Sequence, residues 1–441
     1  MSIYPLSSAR PALQKRVGIG FFTGRAVFPT LLQFYARNWK YGQFADKEKF
    51  SLNLFIAYDT TYNGVGYEVF RNLDREILDI VEAVHFIDDT AIDEAINDLE
   101  RNHIAHPEKT RQVLGMGYAK RRNAIVYSAV KHKMDYLLFI DDDEYPLAVY
   151  DYNGQIFWQR QDILGTHLNY LEQADITHGH HCGYISPIPV LQGVDRAVKD
   201  RLSCFLQAVS NDIISVKAVA DRQARGGVDY ADFETAAGSP YLVEKKRGLK
   251  FISGSNLGFN LSTYYKNKPL PPFYNPEGAR GEDTFLSACL NDFKVLKVPC
   301  YAFHDGFLQY DKILQGVLPV KLKAVLWKQT AIIHRFYKAC LGWIRYKPLL
   351  LYLTEPNHFN SSVQEVRQNL EKSVSTLSGI FQWDFSPLLR EFNAYVSLVS
   401  VHLQEFLQCQ DIWKTICRYA ASFELPPKPM LGNRENCSAQ V

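Results

Sequence analysis

Four apolar residues, Leu137 to Ile140, run directly into four consecutive carboxylates, Asp141 to Glu144, within the segment Tyr136–Pro146. A short apolar run closed by a polar break is the pattern of a buried strand, and in open α/β sheets ligands bind just beyond the carboxyl ends of such strands. Adjacent negative charges repel one another and are costly to desolvate, so a bound cation is the natural way to keep them ionised. The run therefore predicts a sheet whose strand end holds a divalent ion bridging to a phosphate. The plain alternative is a solvated acidic turn closed by Pro146.

The rest of the first two thirds supplies such a sheet. Val17 to Phe22 reads as a strand closed by Thr23-Gly24-Arg25, Phe28 to Trp39 as a helix, and Leu52 to Tyr58 as a strand ending in Asp59-Thr60-Thr61. A helix from Val65 to Ile80 and a strand from Ala83 to Ile87 follow, then a helix from Gly115 to His132 that carries Lys120-Arg121-Arg122-Asn123. Strand-helix alternation of this kind predicts an α/β fold with a mostly parallel sheet flanked by helices. Further strands are expected at Ile176 to Tyr184, Lys250 to Ser253 and Val295 to Phe303, with an apolar segment at Gly258 to Leu261 and a helix or loop from Asp195 to Ala220. After Asp311 glycine becomes scarce and apolar residues recur at helical spacing. Residues 1–15 thus read as an extension, 16–311 as the α/β domain, 312–425 as an all-helical C-terminal appendage and 426–441 as a disordered tail.

Bulk charge narrows the partners. The 49 Lys and Arg nearly balance the 47 Asp and Glu, so no strong nucleic-acid signal is present. Eight cysteines without a CxxC pair read as reduced, mostly buried thiols. The first residues lack the apolar core of a secretory signal, which predicts a cytoplasmic protein and makes the sequons at Asn260, Asn360 and Asn436 chance matches. The apolar stretch from Val325 to Leu353 carries too many charges to span a bilayer.

A second acidic site, Gly281-Glu282-Asp283, follows the Pro- and Gly-rich loop 269–280 and precedes a helix; capping alone would account for it. His304 stands at the end of the Val295–Phe303 strand, where an imidazole can complete a metal site. The ordered set is Arg122-Asn123 on a basic helix, Asp141-Asp142-Asp143 on a strand, a Gly254-Ser255-Asn256 turn, Glu282-Asp283 before a helix, then His304.

At these residues the chain resembles the GT-A-fold glycosyltransferases, most closely the inverting group with family-2-type catalytic domains, over about residues 16–311. The resemblance implies a metal-dependent enzyme that moves a sugar from a nucleotide-sugar donor to an acceptor hydroxyl. It implies Mn2+ or Mg2+ held by Asp143, Asp141 and His304, with Asp141 alternatively on the ribose and Asp142 as a third carboxylate. It further implies Asp59 on the nucleobase, Arg122 and Asn123 over the diphosphate, and Asp283 of the Glu282-Asp283 pair as catalytic base. Where the family carries a Pro-any-Tyr-Asn type first loop, this chain has Phe22-Thr23-Gly24-Arg25, which puts Arg25 within reach of a phosphate.

Three rival functions share the fold: a retaining transferase, a nucleotidyltransferase making sugar nucleotides, and a non-catalytic glycan- or nucleotide-binding protein. The nucleotidyltransferase wants a Gly-rich, Arg- and Lys-bearing loop after the first strand, and Phe21 to Phe28 has one Gly and one Arg. A carboxylate at Asp59 suits the N–H edge of uracil, favouring a UDP-sugar. The acceptor stays open between a glycan, a lipid-linked glycan and another hydroxyl compound. In His178-Gly-His-His-Cys182 neighbouring side chains of a strand point to opposite faces, which favours a pocket-lining strand over a zinc site, with His180 toward the acceptor. Trp327, Trp343, Arg345, Tyr346 and Lys347 offer a basic-aromatic surface for peripheral membrane contact at the inner membrane face; the plainer expectation is that the aromatics pack on the α/β domain.

Overall fold

The computed structural model describes residues 14–42, 50–61, 63–191, 195–209, 216–307, 309–327 and 329–424; the expected disordered tail and nearly all of the N-terminal extension lie outside them. Eleven strands are present among these residues: β1 (Lys15–Thr23), β2 (Phe50–Tyr58), β3 (Ala83–Ile87), β4 (Tyr136–Asp141), β5 (Glu144–Tyr145), β6 (Leu147–Tyr152), β7 (Gln155–Arg160), β8 (Ile176–Tyr184), β9 (Tyr241–Leu242), β10 (Leu257–Asn260) and β11 (Val295–Asp305). Nine form one sheet in the order β3-β2-β1-β4-β10-β8-β11-β5, with β9 on the flank of β11, and β6 pairs with β7 in a separate hairpin.

The long pairings, β1 with β2 and β4, β2 with β3, and β8 with β11, are parallel. Short β10 runs antiparallel between β4 and β8. The parallel half is apolar on both faces because helices cover both, with Val17, Ile19, Phe21, Leu54, Ile56, Leu137 and Phe139 all buried. This α/β sheet between helices, with an all-helical region after it, is the architecture expected from the sequence.

Local differences from the sequence reading have local causes. The expected helix from Val65 to Ile80 is two short ones, Tyr67–Arg71 and Arg75–Leu78, because Asp74 caps the second by accepting from Glu76 N. Lys250 to Ser253 is not a strand: Lys250 N and Ile252 N bond to Ser287, and the chain enters the sheet only at Leu257, after Asn256 turns it with φ 48°. The β6–β7 hairpin went unread, although Asn153-Gly154, both at positive φ, is the two-residue turn that such hairpins favour.

The helical region is packed onto the sheet domain. Its long helices are Thr330–Thr354, Phe359–Phe381, Pro387–Ser397 and Val399–Ser422. Phe406 contacts the rings of Tyr274 and Phe285 at 5.3 and 5.9 Å, and Trp413 Nε1 donates to Leu270 O at 2.8 Å. Trp343, Tyr346 and Lys347 are buried, and Arg345 is paired with Glu391 at 2.7 Å, so these residues build no outward basic-aromatic surface. No helix among the described residues is long and apolar enough to cross a membrane, and the seven described cysteines are all free.

Because one apolar core joins the two regions, Trp413→Ala is expected to cost about 3–5 kcal/mol. The whole molecule should still unfold in a single urea transition. A separate early transition for the helices, monitored by tryptophan fluorescence and circular dichroism, would contradict a shared core.

Candidate active site

The carboxyl ends of β1, β2, β4, β8 and β11 open onto one cleft of about 2240 Å³. The β1 loop supplies Thr23 and Arg25, the β2 end Asp59, the β4 end Asp141 to Asp143, and the β11 end His304. Glu282 and Asp283 enter from the start of the helix Glu282–Ala288. The sharp entry depends on Gly281, which takes φ 91°; a methyl group there would also meet the Tyr346 ring at 2.9 Å.

Every carboxylate of the acidic run is partnered, and Arg25 serves two of them. Asp142 accepts from Thr23 Oγ1 at 2.7 Å, and its other oxygen lies 3.2 Å from Arg25 Nε. Arg25 Nη2 also donates to Asp143 Oδ2 at 2.9 Å, while Asp143 Oδ1 faces His304 Nε2 at 3.4 Å. His304 is oriented through Nδ1, which lies 2.6 Å from Tyr184 O. Glu144 turns inward, away from the cleft lining, and is buried against Ser255 Oγ and His181 Nε2, the latter at 3.0 Å.

Asp141 is joined to the second acidic site by Arg122. The Arg122 guanidinium is almost wholly buried between the Phe139 and Phe273 rings, with centroids at 5.3 and 5.6 Å. Nη2 donates to Asp141 Oδ1 at 2.7 Å, Nη1 donates to Gly254 O, and Nε lies 3.7 Å from Glu282 Oε1. Burial disfavours its charge, but Asp141, Glu282, Asp283 and Glu144 more than offset this and keep it cationic. Arg122 thus reaches the cleft as a strut whose donors are largely committed to the protein.

Asn123 is not brought to the cleft. Its amide nitrogen donates to Val113 O and Phe273 O, and its oxygen accepts from Phe273 N, so it clamps the loop that closes over Arg122. Asp59 does line the cleft; Oδ1 accepts from the Thr61 amide and hydroxyl, and Oδ2 has no partner among the described residues. His180 lies off the cleft, with its ring 5.1 Å from that of Tyr301, on the opposite strand face from His181. Arg335, from the C-terminal helix, was not anticipated; it lies against Gly306 beside His304 and adds its charge to the field at Asp143.

These fields separate the carboxyl groups. Burial, followed by the charges of Glu144, Asp143 and Asp142, pushes Asp141 up to about 7 against the pull of Arg122. Asp142 is pushed up to about 6 by burial and by Asp143, against Arg25. Burial acts the same way on Asp143, but His304, Arg25 and Arg335 outweigh it and hold that carboxyl at about 2. Asp283 is pushed up to about 6 by burial and then by Glu282.

Asp143 Oδ1 and His304 Nε2 lie 3.4 Å apart, within a few tenths of an ångström of the roughly 3.0 Å between neighbouring octahedral ligands at bonds of about 2.1 Å, and both are donor types that divalent ions take. This pair therefore fits the protein share of a divalent-ion site. Among the described residues no group of three His, Cys, Asp or Glu side chains is arranged around one ion, so the remaining ligands would come from water or a phosphate.

No protein-family model matches the chain, and no curated protein matches it in sequence. Among solved structures, that of mouse xyloside xylosyltransferase 1 in its apo form is similar at 12% identity and a TM-score of 0.24, covering 71% of this chain and 96% of that one. A likeness this loose carries no residue role across.

Folded Asp141, Asp142 and Asp283 hold protons more tightly than they do in the unfolded chain. Their stabilisation is present at low pH and is lost as pH rises from about 4 to 7. Asp143 has the opposite sign: its contribution is present above the ordinary carboxylate range and disappears as pH falls toward about 2. Asp141→Asn should accordingly raise the thermal midpoint of the ligand-free protein at pH 8 and change it little at pH 5. Equal gains at both pH values would show that Asp141 carries no ionisation cost.

Proposed function

We propose that this protein is a glycosyltransferase that moves a sugar from a nucleotide-sugar donor, a UDP-sugar by preference, to an acceptor hydroxyl with inversion at the anomeric carbon. The observation that carries the reading is the pairing across one cleft of two unlike acidic sites. One is a carboxylate held ionised beside Arg25, His304 and Arg335, and the other is a carboxyl, Asp283, poised near neutrality.

The chemistry asks for that contrast. As the acceptor oxygen bonds to the anomeric carbon, the bond to the diphosphate breaks and its electron pair leaves on the diphosphate oxygen. Positive groups aimed at that oxygen lower the barrier, and Arg25 and Arg335 are the cations beside Asp143 and His304. Manganese or magnesium held by Asp143 and His304 would add Lewis-acid neutralisation of the same charge. The acceptor proton passes to the Asp283 carboxylate, whose raised affinity for protons suits a base working near neutral pH.

Asp59, with one oxygen uncommitted, is assigned to the N–H edge of the base, and this underlies the preference for uracil. Arg122 is assigned to holding Asp141 and Glu282 in register rather than to contacting phosphate. The non-catalytic alternative leaves the raised proton affinity of Asp283 without a use.

Purified protein with manganese should hydrolyse one member of a panel of sugar nucleotides slowly without acceptor, a UDP-sugar being first choice. Asp283→Asn is expected to lower transfer about 10²- to 10⁴-fold while UDP still binds. The wild-type transfer rate should rise with pH through about 6 and then level. Asp143→Asn should weaken manganese-dependent UDP binding about tenfold or more, since a charged contact is worth about 1.5–3 kcal/mol. Undiminished transfer by Asp283→Asn, or a product of retained configuration, would sink the assignment of the base.

A further inference from the structure

From Lys312 to Thr354 the chain has 43 residues with eight Lys or Arg and no Asp or Glu, in a protein whose overall formal charge is only +2. That acid-free stretch forms one wall of the cleft. The face of Thr330–Thr354 that lines it carries His334, Arg335 and Lys338, and the segment leading into the helix adds Lys321 and Lys323. Arg225 joins them, because Val325 N donates to Gly226 O and so draws the two segments together.

Most of the other charged groups in this cleft have partners. Arg25 is taken by Asp142 and Asp143, Arg122 by Asp141 and Glu282, and Arg345 by Glu391. Arg225, Lys321, Lys323 and Lys338 are exposed and have no ion pair among the described residues. Asp151, a further carboxylate of the lining, accepts from Gly154 N within its own turn. Unpaired like charges on a concave wall repel one another, so a ligand carrying several negative charges would relieve them.

The helix also fixes where such a ligand lies. Arg335 sits against Gly306 beside His304, where the leaving diphosphate is assigned. Three turns further on, Tyr346 packs on Gly281 at the start of the Asp283 helix, and Gly342 packs on Arg280. At 1.5 Å per residue those eleven residues cover roughly 16 Å. Lys338 lies between the two ends, on the path from the diphosphate to the base, which is the space an acceptor must occupy.

Resting on the glycosyltransferase reading, we propose that the acceptor is itself anionic: a glycan bearing phosphate, either on the sugar or as the diphosphate of a lipid carrier, held by Arg225, Lys321, Lys323 and Lys338. Phosphate on the acceptor supplies the charge these residues lack, and salt should weaken its binding because they are exposed.

The test measures binding of three probes to the full-length protein: phosphorylated dextran, the same dextran without phosphate, and farnesyl diphosphate as a stand-in for a lipid-linked diphosphate. Phosphorylated dextran or farnesyl diphosphate should bind at least tenfold more tightly than neutral dextran, and whichever binds better names the source of the phosphate. The triple variant K321A/K323A/K338A should lose at least tenfold of that affinity, and K321R/K323R/K338R should keep it.

The inference is overturned if neutral dextran binds as well as both charged probes, if the alanine variant binds them undiminished, or if UDP displaces them competitively, which would make this wall part of the donor site. Sugar-nucleotide hydrolysis reads the transferase function separately. Loss of that activity with phosphate-selective binding intact would count against the function and leave the basic wall standing.

Discussion

The buried Arg122 guanidinium is the contact on which the candidate site depends. Its charge would be prohibitively costly to desolvate alone, and it is held by Asp141 at the end of one strand, Gly254 O in a turn and Glu282 at the start of a distant helix. Two acidic motifs about 140 residues apart in sequence are thereby drawn to one guanidinium. Asn123, the next residue, fixes the backbone that supplies the Phe273 ring over it, so adjacent residues of one helix serve the interior and the site at once.

From that strut the electrostatics divide. On one side Arg25, His304 and Arg335 gather around Asp143 and keep it ionised, which is what the proposed donor diphosphate with its counter-ion would require of its surroundings. On the other side Asp283 has Glu282 beside it and is buried, so it keeps its proton toward neutrality. The same residue type is tuned in opposite directions by its neighbours. Burial acts upward on both carboxyls, and the balance of neighbouring cations against neighbouring carboxylates decides the sign.

Much of this was legible in the sequence, for reasons that can be named. The strands β1, β2 and β4 stand out because strands covered on both faces must be largely apolar, and their polar ends then mark the sheet edge. Asp141, Asp142, Asp143 and His304 stand at such strand ends, whereas Glu282 and Asp283 drew notice as paired acid at a helix start after a Pro- and Gly-rich loop. Asn123 was misplaced toward the ligand since nothing in a one-dimensional pattern separates a polar residue facing a cleft from one bonded to a buried backbone. Arg335 was passed over because its helix was read as an appendage, although the absence of any acid between Lys312 and Thr354 was there to be noticed.

The sequence by itself determined which segments bury and which end in charge, because burial and desolvation act on each residue type wherever it stands. It thereby fixed an α/β sheet with acid at its strand ends and a helical region after it. Only the tertiary structure decided which charges meet. The pairing of Arg25 with Asp142 and Asp143, the bridging by Arg122, and the turning of the Thr330–Thr354 helix into a cleft wall depend on distances of a few ångströms between residues far apart in the chain. Coulomb interactions fall off with that separation, and sequence spacing does not report it.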